Sequence, residues 1–235
     1  MFGEGRGHLA RGWWGNELNV VTSLSWSELR LRGADAISFA QGQFSQDVTS
    51  QRKPSLLLAP DGHVVAGGEL WAEGDEVVFS VPTLLIDASV ARLRRFVLRV
   101  DVAISHHEDT RGRFLKVEDL FDAYWPSEFE WTLGLPPHSY GQWVVDESVS
   151  FQKGCFTGQE LVGRADARGA TMPWRFVGGR ARDIQAVDAA LRAVGPVGPQ
   201  GVTSYAKIDE VLCWRGFAHR TWVCDDARVT VDFMA

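Results

Sequence analysis

Between the apolar run Leu56 to Ala59 and the run His63 to Trp71 stands the turn Pro60-Asp61-Gly62. Proline presets one backbone angle, aspartate bonds its own backbone, and glycine accepts left-handed dihedrals, so this triplet between two strand-like runs specifies an antiparallel hairpin. A hairpin cannot bury its apolar face alone, so the rest of the chain must supply further strands or covering helices.

The flanking segments do so. Trp26, Leu29 and Leu31 read as a strand within Ser25 to Arg32, and Gly33-Ala34-Asp35 then opens a helix with Ile37, Ala40 and Phe44 on its apolar side. After Glu73-Gly74-Asp75 comes a strand from Val77 to Val81; Pro82 opens a second helix with Leu85, Ala88, Leu93 and Phe96 as buried positions, and Val100 to Ile104 returns as a strand. Helices are outnumbered and do not alternate strictly with strands, which predicts an α+β fold and disfavours a doubly wound nucleotide fold. A second strand-rich region begins near Pro173, with Arg175 to Val177, the Gly- and Pro-rich stretch Gly195 to Gly201, Leu212 to Val223 and Val229 to Phe233, and it reads as a small barrel or sheet. Gly169 and Pro173 punctuate the join, giving expected domains 1–168 and 169–235. The Gly- and Trp-rich first two dozen residues read as irregular.

With 235 residues and a 45% hydrophobic share, the chain can build a core without covalent staples. No apolar run approaches a membrane span and Met1 to Leu18 lacks the apolar stretch of a secretory signal, so a cytoplasmic protein with no membrane partner is expected. Cys155, Cys213 and Cys224 are an odd set without close spacing and read as reduced thiols rather than disulfides or a metal knuckle. A net charge of −6 disfavours nucleic acid and favours a small ligand.

The chemistry-bearing segment is Phe151-Gln152-Lys153-Gly154-Cys155-Phe156-Thr157-Gly158-Gln159-Glu160-Leu161-Val162-Gly163-Arg164. Gly154 and Gly158 uncover the backbone on both sides of the thiol, which suits close approach by a ligand or unusual dihedrals. Lys153 favours a thiolate at Cys155 if the two heads meet, and Glu160 and Arg164 share one helix face. The plainer reading stands beside this one: a single cysteine usually packs as a small hydrophobe, and the glycines then only shape a turn. Residue by residue, the two readings stay open.

The run Lys153 to Glu160, with Arg164 following, resembles the signature of the YgfZ-type folate-binding family, distant relatives of the aminomethyltransferase of the glycine cleavage system. The likeness continues in Leu31 to Ala36, in Phe39 to Gln43, in Gln46-Asp47-Val48, in the hairpin from Leu57 to Val65, in Leu93 to Val102 and in Gly201 to Ser204. It implies a folate-binding, aminomethyltransferase-like domain followed by a small C-terminal β-barrel. It further implies tetrahydrofolate or a derivative as cofactor, and iron–sulfur proteins or their assembly factors as partners. Under the resemblance, Cys155 and Lys153 become catalytic candidates, while Glu160, Gln159, Gly154, Phe156, Gly158 and Arg164 become folate-binding candidates. A carboxylate such as Glu160 accepts adjacent pterin N–H groups side by side, and Arg164 or Arg99 would meet the glutamyl tail. Trp125 and Trp71 are candidate pocket walls.

One departure bears on activity. Where many members of the wider family carry an acid after the hairpin turn, this chain has Gly67-Gly68, which leaves carbon transfer to folate poorly supported and Glu69 as a substitute only if the register shifts. A folate-dependent one-carbon transferase and a non-catalytic folate sensor remain the alternatives. Weaker signals point to no site. His106-His107-Glu108-Asp109 reads as a solvated loop, Ser150 to Lys153 as a chance S-x-x-K, and Arg92, Arg94, Arg95 and Arg99 as a solvent-facing basic surface.

Overall fold

The computed structural model describes residues 19–20, 25–108, 125–169, 171–224 and 229–234. The predicted strands pair into an antiparallel sheet built from β2 (Trp26–Arg32), β3 (Lys53–Leu58), β4 (Val64–Glu73), β5 (Glu76–Pro82) and β6 (Ala103–Glu108), in the order β3-β4-β5-β2-β6. Two helices, α1 (Ala36–Gln43) and α2 (Ile86–Arg94), pack on one face of it. Strand alternation decides which side chains meet them: Leu29, Leu31, Leu70, Val77, Phe79 and Val81 join the core, while Glu28, Arg30 and Trp71 point to the other face. Each such core side chain contributes roughly 1.5–3 kcal/mol by leaving water.

The hairpin stands as its turn chemistry requires, with Gly62 at φ +77° and Gly62 N–H donating to the Ala59 carbonyl at 2.9 Å. A register shift at Leu57/Leu58 leaves Val65 of β4 as an extra residue just after the turn, and beyond it Glu69 pairs with Pro54 and Ser80. Glu69 lies in mid-strand with its carboxylate 3.9 Å from Arg52 Nη1.

Three features differ from the sequence expectations. Ile37 and Ala88 lie on exposed sides of their helices, because Ala36, Phe39 and Gln43 form the buried face of α1 and Ser89 and Arg92 that of α2. Pro82 closes β5, and a 3₁₀ turn, Thr83–Leu85, precedes α2. The histidines extend the edge strand β6 as far as Glu108, with His107 Nε2 3.3 Å from the Glu28 carboxylate; Asp109 lies outside the described residues. Ladder hydrogen bonds to β2 overrode the polarity of that tetrapeptide.

Among the described residues, the connection to the second sheet holds three helices, α3 (Glu128–Trp131), α4 (Gln142–Ser148) and α5 (Gln159–Ala167), with a 3₁₀ turn at Pro137–Tyr140. The second sheet contains β1 (Asn19–Val20), β7 (Trp174–Ala181), β8 (Gly201–Ile208), β9 (Val211–His219) and β10 (Val229–Met234), in the order β1-β8-β9-β7-β10. Apart from β1, which runs parallel to β8, it is antiparallel. Of the first two dozen residues, residues 1–18 and 21–24 lie outside the described residues.

Helix α6 (Ile184–Arg192), absent from the sequence reading, packs on β8 and β9. Its signals are present: Asp183 caps it by accepting from the Gln185 and Ala186 N–H groups, and Ile184, Val187 and Leu191 keep helical spacing. The two sheets share aromatic packing, since Phe176 of β7 and Phe217 of β9 lie in one core cluster with Trp131 and Tyr140. No helix among the described residues is long and apolar enough to cross a membrane.

Candidate functional site

The cysteine turn lies where α1, the β3–β4 hairpin and the start of α5 converge. Gly158 carries φ +86° as the residue before α5, and a Cβ there would stand 2.8 Å from the Ala59 carbonyl oxygen and 3.0 Å from Leu58 Cβ. A Cβ on Gly62 would in turn meet Leu161 Cβ at 2.9 Å. These two glycines let the start of α5 lie directly against the hairpin turn.

Three further attachments hold the turn. Lys153 Nζ donates to the carbonyls of Gln41 and Phe44, at 2.5 and 2.7 Å, which caps the C-terminal end of α1 with a cation. Burial draws this ammonium down to about 8, with Asp47 opposing the shift. Thr157 N–H donates to the Gly42 carbonyl at 3.0 Å. Phe156 is 6% exposed and packs in the core, where the Lys153 ammonium stands 5.2 Å from its ring centre.

The predicted site residues therefore divide into two groups. Lys153, Phe156, Gly158 and Gln159 form the frame: Gln159 Oε1 accepts from Phe156 N–H at 3.3 Å, and Phe156 is buried. Gly154, Cys155, Glu160 and Arg164 face solvent. A Cβ at Gly154 would meet nothing within 4 Å, so the approach to the thiol is open there. Glu160 and Arg164 pair with each other at 2.5 Å, with side chains 75% and 61% exposed. Lys153 thus donates to the backbone at the end of α1.

The remaining candidates lie elsewhere. Trp71 is buried on the far face of the first sheet, where its Nε1–H donates to Glu73 at 3.0 Å and the Arg52 guanidinium stacks 3.9 Å over the ring. Trp125 sets its ring edgewise to Trp131 and Trp143. Arg99 is exposed after α2, with φ +59°. Cys213 and Cys224 are half-buried. Among the described residues, no group of three or more His, Cys, Asp or Glu side chains is placed to hold a metal ion.

Where a transferase acid would be expected, the space is already filled. A Cβ on Gly67 would fall 2.5 Å from Cε2 of buried Trp131, and one on Gly68 would fall 2.2 Å from the Ser80 carbonyl oxygen. Neither position accepts an acidic side chain in this packing.

No protein-family model matches the sequence. The chain is 25% identical to the tRNA-modifying protein YgfZ of Aliivibrio fischeri strain MJ11, over 72% of this chain and 74% of that protein. A second protein of the same name, from strain ATCC 700601 / ES114, is 24% identical over 61% of this chain and 65% of its own length. The chain is similar to the YgfZ proteins. It spans only about two thirds to three quarters of these relatives. In structure, the chain is similar to the glycine cleavage system aminomethyltransferase T from Bartonella henselae, with a TM-score of 0.58 and 12% identity over 90% of this chain and 81% of that one. That similarity establishes the α+β, aminomethyltransferase-like fold.

Glu28, Arg92, Glu130 and Arg215 are buried charged groups that sequence reasoning missed. Glu130 has a detectable signal, because Ser127 and Glu130 have capping-box spacing and the Ser127 N–H and hydroxyl both donate to the Glu130 carboxylate, at 2.7 and 2.5 Å. Arg92 has none. Its place among Arg94, Arg95 and Arg99 reads as surface, yet it is 4% exposed.

Proposed function

We propose that this protein, like the YgfZ proteins it resembles, is a tetrahydrofolate-binding accessory protein of the cytoplasm that acts in the maturation or repair of iron–sulfur proteins, with Cys155 at its working surface. The observation that carries the reading is the contrast within the turn. The backbone on both sides of Cys155 is pinned to α1 and the hairpin, while the thiol is exposed beside the open flank of Gly154. A cysteine kept only for packing would be buried.

The folate part draws support from homology and from the side chains available. Glu160 would accept the pterin N–H groups and Gln159 would border them, with Arg164 as the cation for an anionic tail. The Glu160–Arg164 pair is exposed, and pairs of this kind are weak enough to exchange for a ligand. Bound tetrahydrofolate would supply a reduced pterin able to carry a one-carbon unit. The name of the curated relatives places them in tRNA modification. With a net charge of −6, this chain is better suited to reach that process through a protein partner than by gripping phosphates itself.

Two measurements test the proposal. Calorimetric titration of the reduced protein with tetrahydrofolate gives a saturable heat and a raised Tm; no heat and no stabilisation at high ligand removes the folate part. Cys155→Ser folds normally and fails to restore iron–sulfur enzyme activity in cells lacking the protein. Full rescue by that variant separates the function from the thiol.

A further inference from the structure

Arg92 is buried with no counter-charge. Its Nε donates to the Leu58 carbonyl at 2.7 Å, its Nη1 donates to Gln43 Oε1 at 3.0 Å, and the Phe96 ring centre lies 4.2 Å from its guanidinium carbon. All three partners are neutral. The Nη2 amino group, buried with the rest, makes no hydrogen bond. Among the described residues no carboxylate pairs with it. The comparably buried Arg215, by contrast, has Glu130 at 3.5 Å. Burial, with Arg95 three residues on adding repulsion, draws the Arg92 guanidinium down to about 10. A guanidinium taken out of water without an anion is unfavourable by several kcal/mol, and its planar fork matches a carboxylate or phosphate.

We infer that the C-terminal end of α2 is a binding site for a small oxyanion, a carboxylate or phosphate group, held by Arg92 Nη2 and the Arg95 guanidinium. The position suits a ligand that also meets the cysteine turn. Gln43 Oε1, which accepts from Arg92, lies 3.5 Å from Thr157 Oγ1, and the Leu58 that binds Arg92 Nε packs against Gly158. Phe96 is half-buried over the guanidinium, so entry of the anion requires its ring to turn aside. The site does not depend on folate being the ligand. Its oxyanion arrives either as free phosphate or as the carboxylate end of a larger molecule.

The test titrates the full chain, with isotopically labelled arginine, with inorganic phosphate and separately with glutarate, at fixed ionic strength against a chloride reference. Saturable shifts of the Arg92 Nε–H resonance and a raised Tm are expected. Both should weaken about tenfold or more in Arg92→Lys and in Arg95→Gln, since a charge-assisted hydrogen bond is lost or displaced. Saturation by phosphate with glutarate silent assigns the free-phosphate source, and the reverse assigns the carboxylate source. Shifts no larger than those with chloride, or affinities unchanged in Arg95→Gln, overturn the site. The wild-type resonance decides the matter even where the Arg92 variant does not fold.

Discussion

Glu130 and Arg215 face each other at 3.5 Å with both side chains fully buried, and they join α3 to the second sheet. The hydroxyls of Thr203 and Ser204 also donate to Glu130, at 2.5 and 2.7 Å, and Arg215 Nη1 donates to the Trp125 carbonyl at 2.8 Å. Glu130→Gln removes the anion and leaves the cation buried, so unfolding free energy in urea should fall by about 3–5 kcal/mol. A double-mutant cycle with Arg215→Met should show strong coupling, and additive effects would refute the pairing as the source.

Two acids on α3 oppose each other in pH dependence. Burial alone would raise the Glu130 carboxyl, but Arg215 and the hydroxyls of Ser127, Thr203 and Ser204 outweigh burial and hold it below 4.5. Its contribution is therefore present above pH 4.5 and is lost as pH falls through the lowered value. Glu128 is raised to about 7, first by burial and then by the Glu130 charge. Its contribution is full below pH 4.5 and is lost as pH rises through about 7. Glu128→Gln should flatten the decline in Tm between pH 5 and 8 and stabilise the protein at pH 8 by at most about 3 kcal/mol, with solvent screening reducing the figure.

Trp131 lies over Gly67, and Gly67→Ala places a methyl group inside the indole's contact distance. The variant should lose about 1–3 kcal/mol of stability by overpacking, read by chemical denaturation. Gly67→Asp, which restores the acid of the transferase pattern, should lose more and gain no aminomethyl transfer to tetrahydrofolate. Turnover by that variant would show that the packing yields to the reaction.

Lys153 ties the cysteine turn to α1 through two carbonyls. Lys153→Met keeps the aliphatic stem and removes the donors, so stability should drop by about 1–3 kcal/mol. Amide hydrogen exchange should quicken at residues 153–158 and at the end of α1. Unchanged exchange there would mean that the Thr157 and Gly158 contacts hold the turn by themselves.

Much of the first sheet was legible because its signals are local. The Pro60-Asp61-Gly62 turn, the alternation in β2 and the apolar runs of β4 and β5 bounded by turn residues are properties of neighbouring residues, and such patterns need no partner to be read. Helix α6 was equally legible, given its Asp183 cap, but the glycines and prolines that follow it drew attention to turns. Ile37 and Ala88 misled because helical spacing defines a face without saying which face meets the sheet.

The amino-acid order alone determined the α+β class, the hairpin and the family resemblance, and it singled out the residues from Lys153 to Arg164 as candidates. Tertiary packing decided which of those residues are frame and which are open: Phe156 and Lys153 turned inward, while Cys155, Glu160 and Arg164 stayed in water. It also decided that Arg92 is buried and Arg95 is not. Burial and charge pairing depend on contacts between residues far apart in the chain, such as Lys153 with Gln41 or Glu130 with Arg215, and no local pattern encodes a distance of that kind.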